Sequence, residues 1–446
     1  MSSSLNQRFT PWSLLKFAAP SIIMMMFMSL YTIVDGIFVS RFVGSNALSS
    51  INIVFPVINV AIAVATMLGT GGNAIISRYL GENRPQKANA CLTQFVCVAI
   101  GLSILFLAFI LAFTTPLSRF LGASDILLSD CNTYLRILGL FVPACMLQAL
   151  FQSYLVTAGR PNFGLALTIG AGICNAVLDY VLIAVCQFGV AGAAIATCIG
   201  QCIPAVVGLF FFFLNKNGLH FTKFSFHARE LLQACYNGSS EMVSQLSMAI
   251  VTVLFNIVLM RIAGEHGVAA ITILLYGEFL FNSFYLGFSI GIAPIVGFQY
   301  GAQDKVQLKR VYRIAFVFVI ISSVVLLGTA EGLSRPIITI FTNDPETFPL
   351  ALTGFRLFSI SFLFSGFNIT SSGFFTALSN GKVSAILSFC RTFVFTMICL
   401  MILPHFLGIN GAWIAVPIAE VCTLLISLYM HQKYFIRSGK QNYFAL

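Results

Sequence analysis

Twelve apolar stretches, each longer than the roughly 20 residues of a membrane-spanning helix, constrain the fold of this chain more than any other feature. They lie near residues 14–40, 47–77, 88–113, 133–157, 162–186, 189–214, 231–262, 268–300, 306–330, 347–378, 382–403 and 409–434. Barrel strands are shorter and alternate in polarity. Only 9% of the residues are charged, against about 25% in soluble domains. We predict an all-α polytopic membrane protein with twelve transmembrane helices.

The basic residues are distributed unevenly between the two sides of the predicted membrane. If both termini share one side, that side holds 17 of the 24 Lys and Arg residues, and the positive-inside rule makes it cytoplasmic. The net charge of +10 therefore does not call for a nucleic-acid partner. Residues 1–11 are polar and lack the basic stretch of a signal peptide, so we expect the first helix to be retained.

An internal repeat appears when the sequence is compared with itself at an offset of about 220 residues. Recurring glycine and arginine carry the signal, because apolar coincidences are common in so apolar a chain. The matched pairs are Gly44 and Gly264, Gly71 and Gly291, Gly81 and Gly301, Arg136 and Arg356, and Gly189 and Gly408. We predict two six-helix lobes, residues 1–215 and 230–446, with a cytoplasmic linker at 216–229. An axis along the membrane normal relates such lobes, and transporters of this kind bind substrate between them.

With these features the chain resembles the multidrug and toxic compound extrusion (MATE) family over nearly its whole length. The resemblance is carried by the six-plus-six repeat, by Pro20 and Asp35 in helix 1, and by the Gly-Thr-Gly-Gly and Gly-Glu-Asn-Arg end of helix 2. Asn175 and Asp179 in helix 5, with Thr197 in helix 6, are similar to the DinF-like branch, which implies a proton site in the first lobe. Helix 10 carries no acid, unlike the Na⁺-associated branch, although Glu241 remains in helix 7.

Two acids fall in the outer half of the predicted first lobe. Asp35 lies about 30 Å and Asp179 about 25 Å from the cytoplasmic ends of their helices, at about 1.5 Å per residue. Asn175 shares a helix face with Asp179, and Asn52 and Thr197 are predicted at similar depth. The repeat partners of the two acids are apolar, namely Phe255 and Ile398 or Cys399.

The outer-half pair has the composition of a proton-binding site. Acids within a membrane are costly and usually mark an ion path. Two neighbouring carboxyls titrate as a unit, and Asn or Thr can hydrogen-bond to either charge state. The alternative is that Asp35 and Asp179 only bridge helices.

The second lobe carries four charges near mid-membrane, namely Glu241, Glu278, Arg391 and Glu420. Arginine keeps its proton in proteins, so Arg391 requires an acid, and Glu278 and Glu420 lie at its depth. Two interpretations stay open, a structural ion pair and a site for a cationic substrate.

Pro20 interrupts the hydrogen bonding of helix 1, either as a static kink or as a hinge. A methionine-rich segment comes directly after it. Tyr31 lies between Pro20 and Asp35 and is predicted to line the substrate cavity.

The resemblance implies a secondary active exporter that exchanges cationic or amphipathic drugs for entering protons, with helix 1 bending on protonation. It also implies a multi-pass protein of the bacterial inner membrane with cytoplasmic termini. We expect a monomer among membrane lipids. The sequence has no P-loop, no HExxH and no Cys/His metal spacing, so we expect no cofactor, no metal and no enzymatic activity. The alternatives are a lipid-linked precursor flippase, a Na⁺-coupled exporter, a membrane-embedded enzyme and a channel.

Overall fold

Twelve long helices make up the described part of the chain, which in this computed structural model is residues 5–342, 344–436 and 442–444. They are α1 (Pro11–Phe42), α2 (Ser45–Gly81), α3 (Pro85–Phe120), α4 (Leu128–Thr157), α5 (Pro161–Asp179), α6 (Gly189–Leu214), α7 (228–263), α8 (265–301), α9 (Lys305–Gly332), α10 (Thr347–Ser359 and Phe362–Ala377), α11 (Gly381–Phe389 and Phe395–Leu407) and α12 (Ile409–His431). A short helix, Ser334–Phe341, lies between α9 and α10. The described residues contain no β-strand.

The count of spanning segments agrees with the sequence. Ten helices among the described residues are long and apolar enough to cross a membrane, and α10 adds an eleventh as a bent pair. The longest of them, Ala228–Gly301, is broken at Gly264, whose φ of 60° is not helical. It therefore comprises two spans, α7 and α8. The prediction of an all-α polytopic protein with twelve membrane helices is confirmed.

Four helices depart from the continuous spans that the sequence predicts. π-helical turns end α5 at Tyr180–Val185 and α12 at Gln432–Ile436, and another at Cys390–Val394 divides α11. The two parts of α10 meet at an angle of 51°. A π-helical turn adds a residue to the helical ring and rotates the rest of the helix, and such turns occur often at functional sites. The pattern of apolar residues in the sequence does not predict these turns or the bend in α10.

Repeat-related glycines have the same backbone role in both halves of the chain. Gly44 and Gly264, at the α1–α2 and α7–α8 junctions, have φ of 118° and 60°. Gly189 and Gly408, which begin α6 and precede α12, both have φ of 57°. Only glycine adopts this region without a steric penalty, which explains why glycine marks the repeat.

The predicted cytoplasmic ends of α2 and α8, here called the inner ends, pack backbone against backbone. A Cβ on Gly81 would lie 2.0 Å from the carbonyl oxygen of Phe298, and a Cβ on Gly301 would lie 2.1 Å from that of Arg78. Two repeat-related glycines therefore allow α2 and α8 to cross closely at the inner face. Arg437 and Lys440, which the positive-inside argument assigns to the same face, lie outside the described residues.

Candidate functional site

The structure brings Asp35 and Asp179 together between α1 and α5. Asp179 is the last residue before the π-helical turn of α5 and is 1% exposed. α5 approaches α1 at Gly172, where a Cβ would lie 2.4 Å from the ring of Phe27. The two carboxyls lie close enough to influence one another's charge. Since ionised carboxylates only accept hydrogen bonds, a hydrogen bond between them would require one of them to be protonated.

Several polar atoms beside the acid pair are buried without a hydrogen-bond partner. Among the described residues, these atoms are Oδ1 of Asp35, Oδ1 of Asp179, Nδ2 of Asn175 and Oγ1 of Thr197. α6 is held against α5 at Gly200, whose Cβ would lie 3.1 Å from the Cβ of Asn175. Unpaired buried polar atoms are rare in native proteins and commonly indicate a bound water or ion. The protein groups that the structure describes therefore do not use the whole hydrogen-bonding capacity of these atoms.

Two further residues singled out from the sequence differ in placement, namely Tyr31, predicted at the substrate cavity, and Asn52, predicted at this site. Tyr31 lies beside Asp35 and Gln148, on the same helix face one turn toward the inner end. The side chain of Asn52 is exposed and does not belong to the buried cluster. Its role at the site stays a prediction.

Tyr134 and Tyr276 also lie near the acid pair, and sequence reasoning missed both of them. Tyr134 of α4 is 5% exposed and close to both acids. Tyr276 of α8 approaches Asp35 from the second lobe, and its hydroxyl would lie 3.7 Å from a Cβ on Gly36. The sequence does not indicate which residue a tyrosine in an apolar helix will contact. The site thus includes one side chain from the opposite lobe.

Pro20 lies where α1 is fixed against α8. A Cβ on Gly287 would lie 2.6 Å from the Cα of Ile22, and one on Gly291 would lie 2.9 Å from the Cα of Ala18. The inner third of α1 is therefore in backbone contact with the second lobe. Asp35 lies about four turns further out, where α1 contacts α5 and, in α8, the side chain of Tyr276. α1 therefore has an inner segment around Pro20 that is held against α8, and an outer segment that extends from there to Asp35.

The second lobe holds the four mid-membrane charges around an internal cavity of about 140 Å³. Nη1 of Arg391 lies 3.1 Å from Oε1 of Glu420, which is 3% exposed. Nδ2 of Asn368 donates to the other carboxylate oxygen of Glu420 at 2.7 Å. Of the two partners predicted for Arg391, the structure therefore selects Glu420.

Glu278 and Glu241 line the same cavity, and neither forms an ion pair with any described residue. Nδ2 of Asn282 donates to Oε1 of Glu278 at 3.3 Å, and Oδ1 of Asn282 accepts from Ser365. Glu241 also lines a second cavity of about 100 Å³ between the lobes, together with Thr70 of α2. Arg391 is the only Lys or Arg among the described residues that line either cavity. The excess charge in these cavities is therefore acidic when the carboxyls are ionised.

The comparisons with known proteins agree with this architecture. The family model described as MatE matches residues 20–181 and 242–402, once in each half. The multidrug export protein MepA of Staphylococcus haemolyticus is 23% identical over 425 residues, covering 91% of this chain and 90% of MepA. A MATE crystal structure in complex with MaL6 has a TM-score of 0.92 at 23% identity, covering 97% of this chain and 98% of that one. An outward-facing multidrug resistance MATE transporter has a TM-score of 0.90 at 24% identity, covering 96% of each chain.

The fold and the repeated helical lobes define a multi-pass membrane transporter rather than an enzyme. Because the family model covers most of both halves, the chain belongs to the MatE family.

Proposed function

We propose that this protein is a proton-driven exporter of cationic or amphipathic small molecules, and that Asp35 and Asp179 are its proton-binding site. The observation that carries the proposal is the proximity of these two carboxyls. Among the described residues, their Oδ1 atoms are buried without a hydrogen-bond partner, as are Nδ2 of Asn175 and Oγ1 of Thr197. A pair that shares a proton binds and releases protons as a unit. The relatives are named for multidrug export, which supports drugs as the exchanged substrate. The proposed location is a bacterial inner membrane, with both termini cytoplasmic.

The charges in the cavities favour a cationic substrate over a polyanionic lipid precursor. A flippase for phosphorylated lipids requires free basic groups at its binding site. Arg391, the basic residue that lines the cavity, is held by Glu420 at 3.1 Å. Three acids, Glu241, Glu278 and Glu420, line the cavity together with Arg391. Na⁺ remains the alternative coupling ion because Glu241 and Glu278 border the same cavity. Transport driven by a pH gradient alone, compared with transport driven by a Na⁺ gradient alone, tests the proposal.

The proposed exchange involves movement of the outer part of α1. A charged Asp35 requires hydrogen bonds from neighbours such as Asn175 or Thr197, whereas a neutral one requires fewer. Protonation thus changes the relative free energy of two positions of α1 through differential interaction. The anchored segment at Ala18–Ile22 and the missing backbone bond at Pro20 make a bend cost less there than in an intact helix.

Spin labels on the outer ends of α1 and α3 test this movement. Phe42 and Phe120 are both exposed, and cysteines there can be labelled after the exposed native Cys97 and Cys186 are replaced by serine. We expect the distance distribution between the labels to change with pH in the otherwise wild-type protein. The change should vanish in Asp35→Asn and weaken in Pro20→Ala. If the distances stay constant while transport still responds to pH, Pro20 is a static kink.

A further inference from the structure

A continuous row of buried hydroxyls crosses the inner part of the second lobe. Oγ of Ser388 lies 2.8 Å from Oγ of Ser372, which lies 2.8 Å from Oγ of Ser384. Ser384 lies 2.6 Å from Oγ1 of Thr376, which lies 3.4 Å from Oγ of Ser240. All five are at most 5% exposed. Membrane-helix hydroxyls usually bond to a carbonyl of their own helix. These five, which we call the hydroxyl row, also contact one another across α7, α10 and α11. Oγ1 of Thr376 in addition donates to the carbonyl of Ser372 at 3.1 Å, and Oγ of Ser372 donates to that of Ser384 at 3.3 Å.

The outer end of the hydroxyl row opens on the charged cavity. Ser388 and Ser372 line the 140 Å³ space that Glu278 and Arg391 also line. This space is large enough to hold several water molecules. Water there can connect the carboxyl of Glu278 to Ser388 without any rearrangement of the helices.

The inner end of the hydroxyl row lies beside a buried amide with unused hydrogen bonds. Asn237 is 0% exposed, and within the described residues neither Nδ2 nor Oδ1 has a partner. It lies one turn before Ser240 on α7. A Cβ on Gly381, at the start of α11, would lie 2.8 Å from the Cα of Asn237. A buried unpaired amide commonly indicates an ordered water, which would extend the row toward the inner face.

The described first-lobe positions that correspond to the hydroxyl row do not form an equivalent row. At the repeat offset of 220 residues, the five positions are occupied by Pro20, Gln152, Val156, Gly164 and Thr168. Packing shared by the two lobes therefore does not explain the row. It occurs only in the lobe that carries the mid-membrane charges, just as the acid pair occurs only in the other.

We propose that the hydroxyl row conducts protons between the inner face and Glu278, which makes Glu278 a second proton-binding site. A proton reaches Ser240 from water at Asn237. Each hydroxyl oxygen then accepts a proton from one neighbour and gives its own to the next, so that one O–H bond forms as one breaks. Cavity water delivers the last proton to the Glu278 carboxylate. Charged groups around Glu278 are Glu241 on α7, Arg391 on α11 and Glu420 on α12. The described residues of α10 at this cavity are uncharged.

Infrared spectroscopy of oriented proteoliposomes after a pH jump tests this proposal. The carbonyl band of protonated Glu278 is identified by its loss in Glu278→Gln. In an Asp35→Asn background, the band should appear faster when the cytoplasmic face is acidified than when the outer face is. Ser372→Ala should slow that appearance about tenfold, the equivalent of one lost hydrogen bond. Ser372→Thr should restore the rate because it keeps the hydroxyl.

The controls separate conduction from folding and from transport. Ser384→Ala interrupts the hydroxyl row at a second position and should slow loading equally. Ser322→Ala removes a buried hydroxyl of α9 that bonds only within its own helix, so loading should keep its wild-type rate. The proposal is overturned if Glu278 is protonated at the wild-type rate in well-folded Ser372→Ala and Ser384→Ala. It is also overturned if the Glu278 band does not change when the cytoplasmic pH changes. Since the assay needs neither Asp35 nor transport, its outcome does not depend on the exporter proposal.

Discussion

We expect Asp35→Asn to abolish pH-gradient-driven drug export while leaving the protein folded. Asparagine has nearly the shape of aspartic acid but cannot gain or lose a proton at physiological pH. The proposed binding of a proton by the Asp35–Asp179 pair is then lost. Accumulation of a fluorescent cation in inside-out vesicles should fall to the level of protein-free vesicles. Thermal unfolding in detergent should show a transition at or above the wild-type temperature, because a buried charge has been removed.

Glu265→Gln is the matched control for the loss of one negative charge on the outer side. Glu265 begins α8 and its side chain is exposed, so its neutral variant should export normally. Full export by Asp35→Asn would show that this carboxyl does not couple transport to protons.

The second large effect is expected on stability. Arg391→Ala leaves Glu420, 3% exposed, without its cationic partner at 3.1 Å. Removing one member of a buried ion pair costs about 3–5 kcal/mol. The 15% exposure of the Arg391 side chain argues for the lower part of that range, since partial solvation screens the pair. The apparent melting temperature in detergent should therefore fall clearly.

Two further variants distinguish the pair from general damage. Arg391→Met combined with Glu420→Leu removes both charges and should recover much of the lost stability. Arg119→Ala breaks an ion pair with Asp125, which is 87% exposed, and should cost only about 0–1 kcal/mol. An unchanged melting temperature in Arg391→Ala, with altered drug selectivity, would instead support a role for Arg391 in substrate binding.

Glycines and apolar runs made the overall fold predictable from the sequence. The matches of Gly44 with Gly264 and of Gly81 with Gly301 fall where positive φ or close backbone approach excludes a side chain. Because these backbone requirements act at single positions, they select glycine there, and the glycine can be recognised in the sequence. The long apolar runs likewise identify the spans because a bilayer fixes helix length.

Side-chain partners were predictable only where electrostatics limited the choices. Arg391 required an acid at its depth, which left Glu278 and Glu420, and packing decided between them. The approach of Tyr276 to Asp35 depends on how two lobes meet. The hydroxyl row depends on three helices that converge near Gly381. Serine and threonine are frequent in membrane helices, so their spacing alone does not indicate such contacts.

The direct test of proton-coupled export is uptake of a fluorescent cation by inside-out proteoliposomes under one imposed gradient at a time. With the lumen acidic and Na⁺ equal on both sides, we predict uptake by the wild-type protein and none by Asp35→Asn. With a Na⁺ gradient and equal pH, we predict none by either protein. Uptake driven by Na⁺ alone, or by the pH gradient in Asp35→Asn, would contradict the assignment of the Asp35–Asp179 pair as the proton-coupling site.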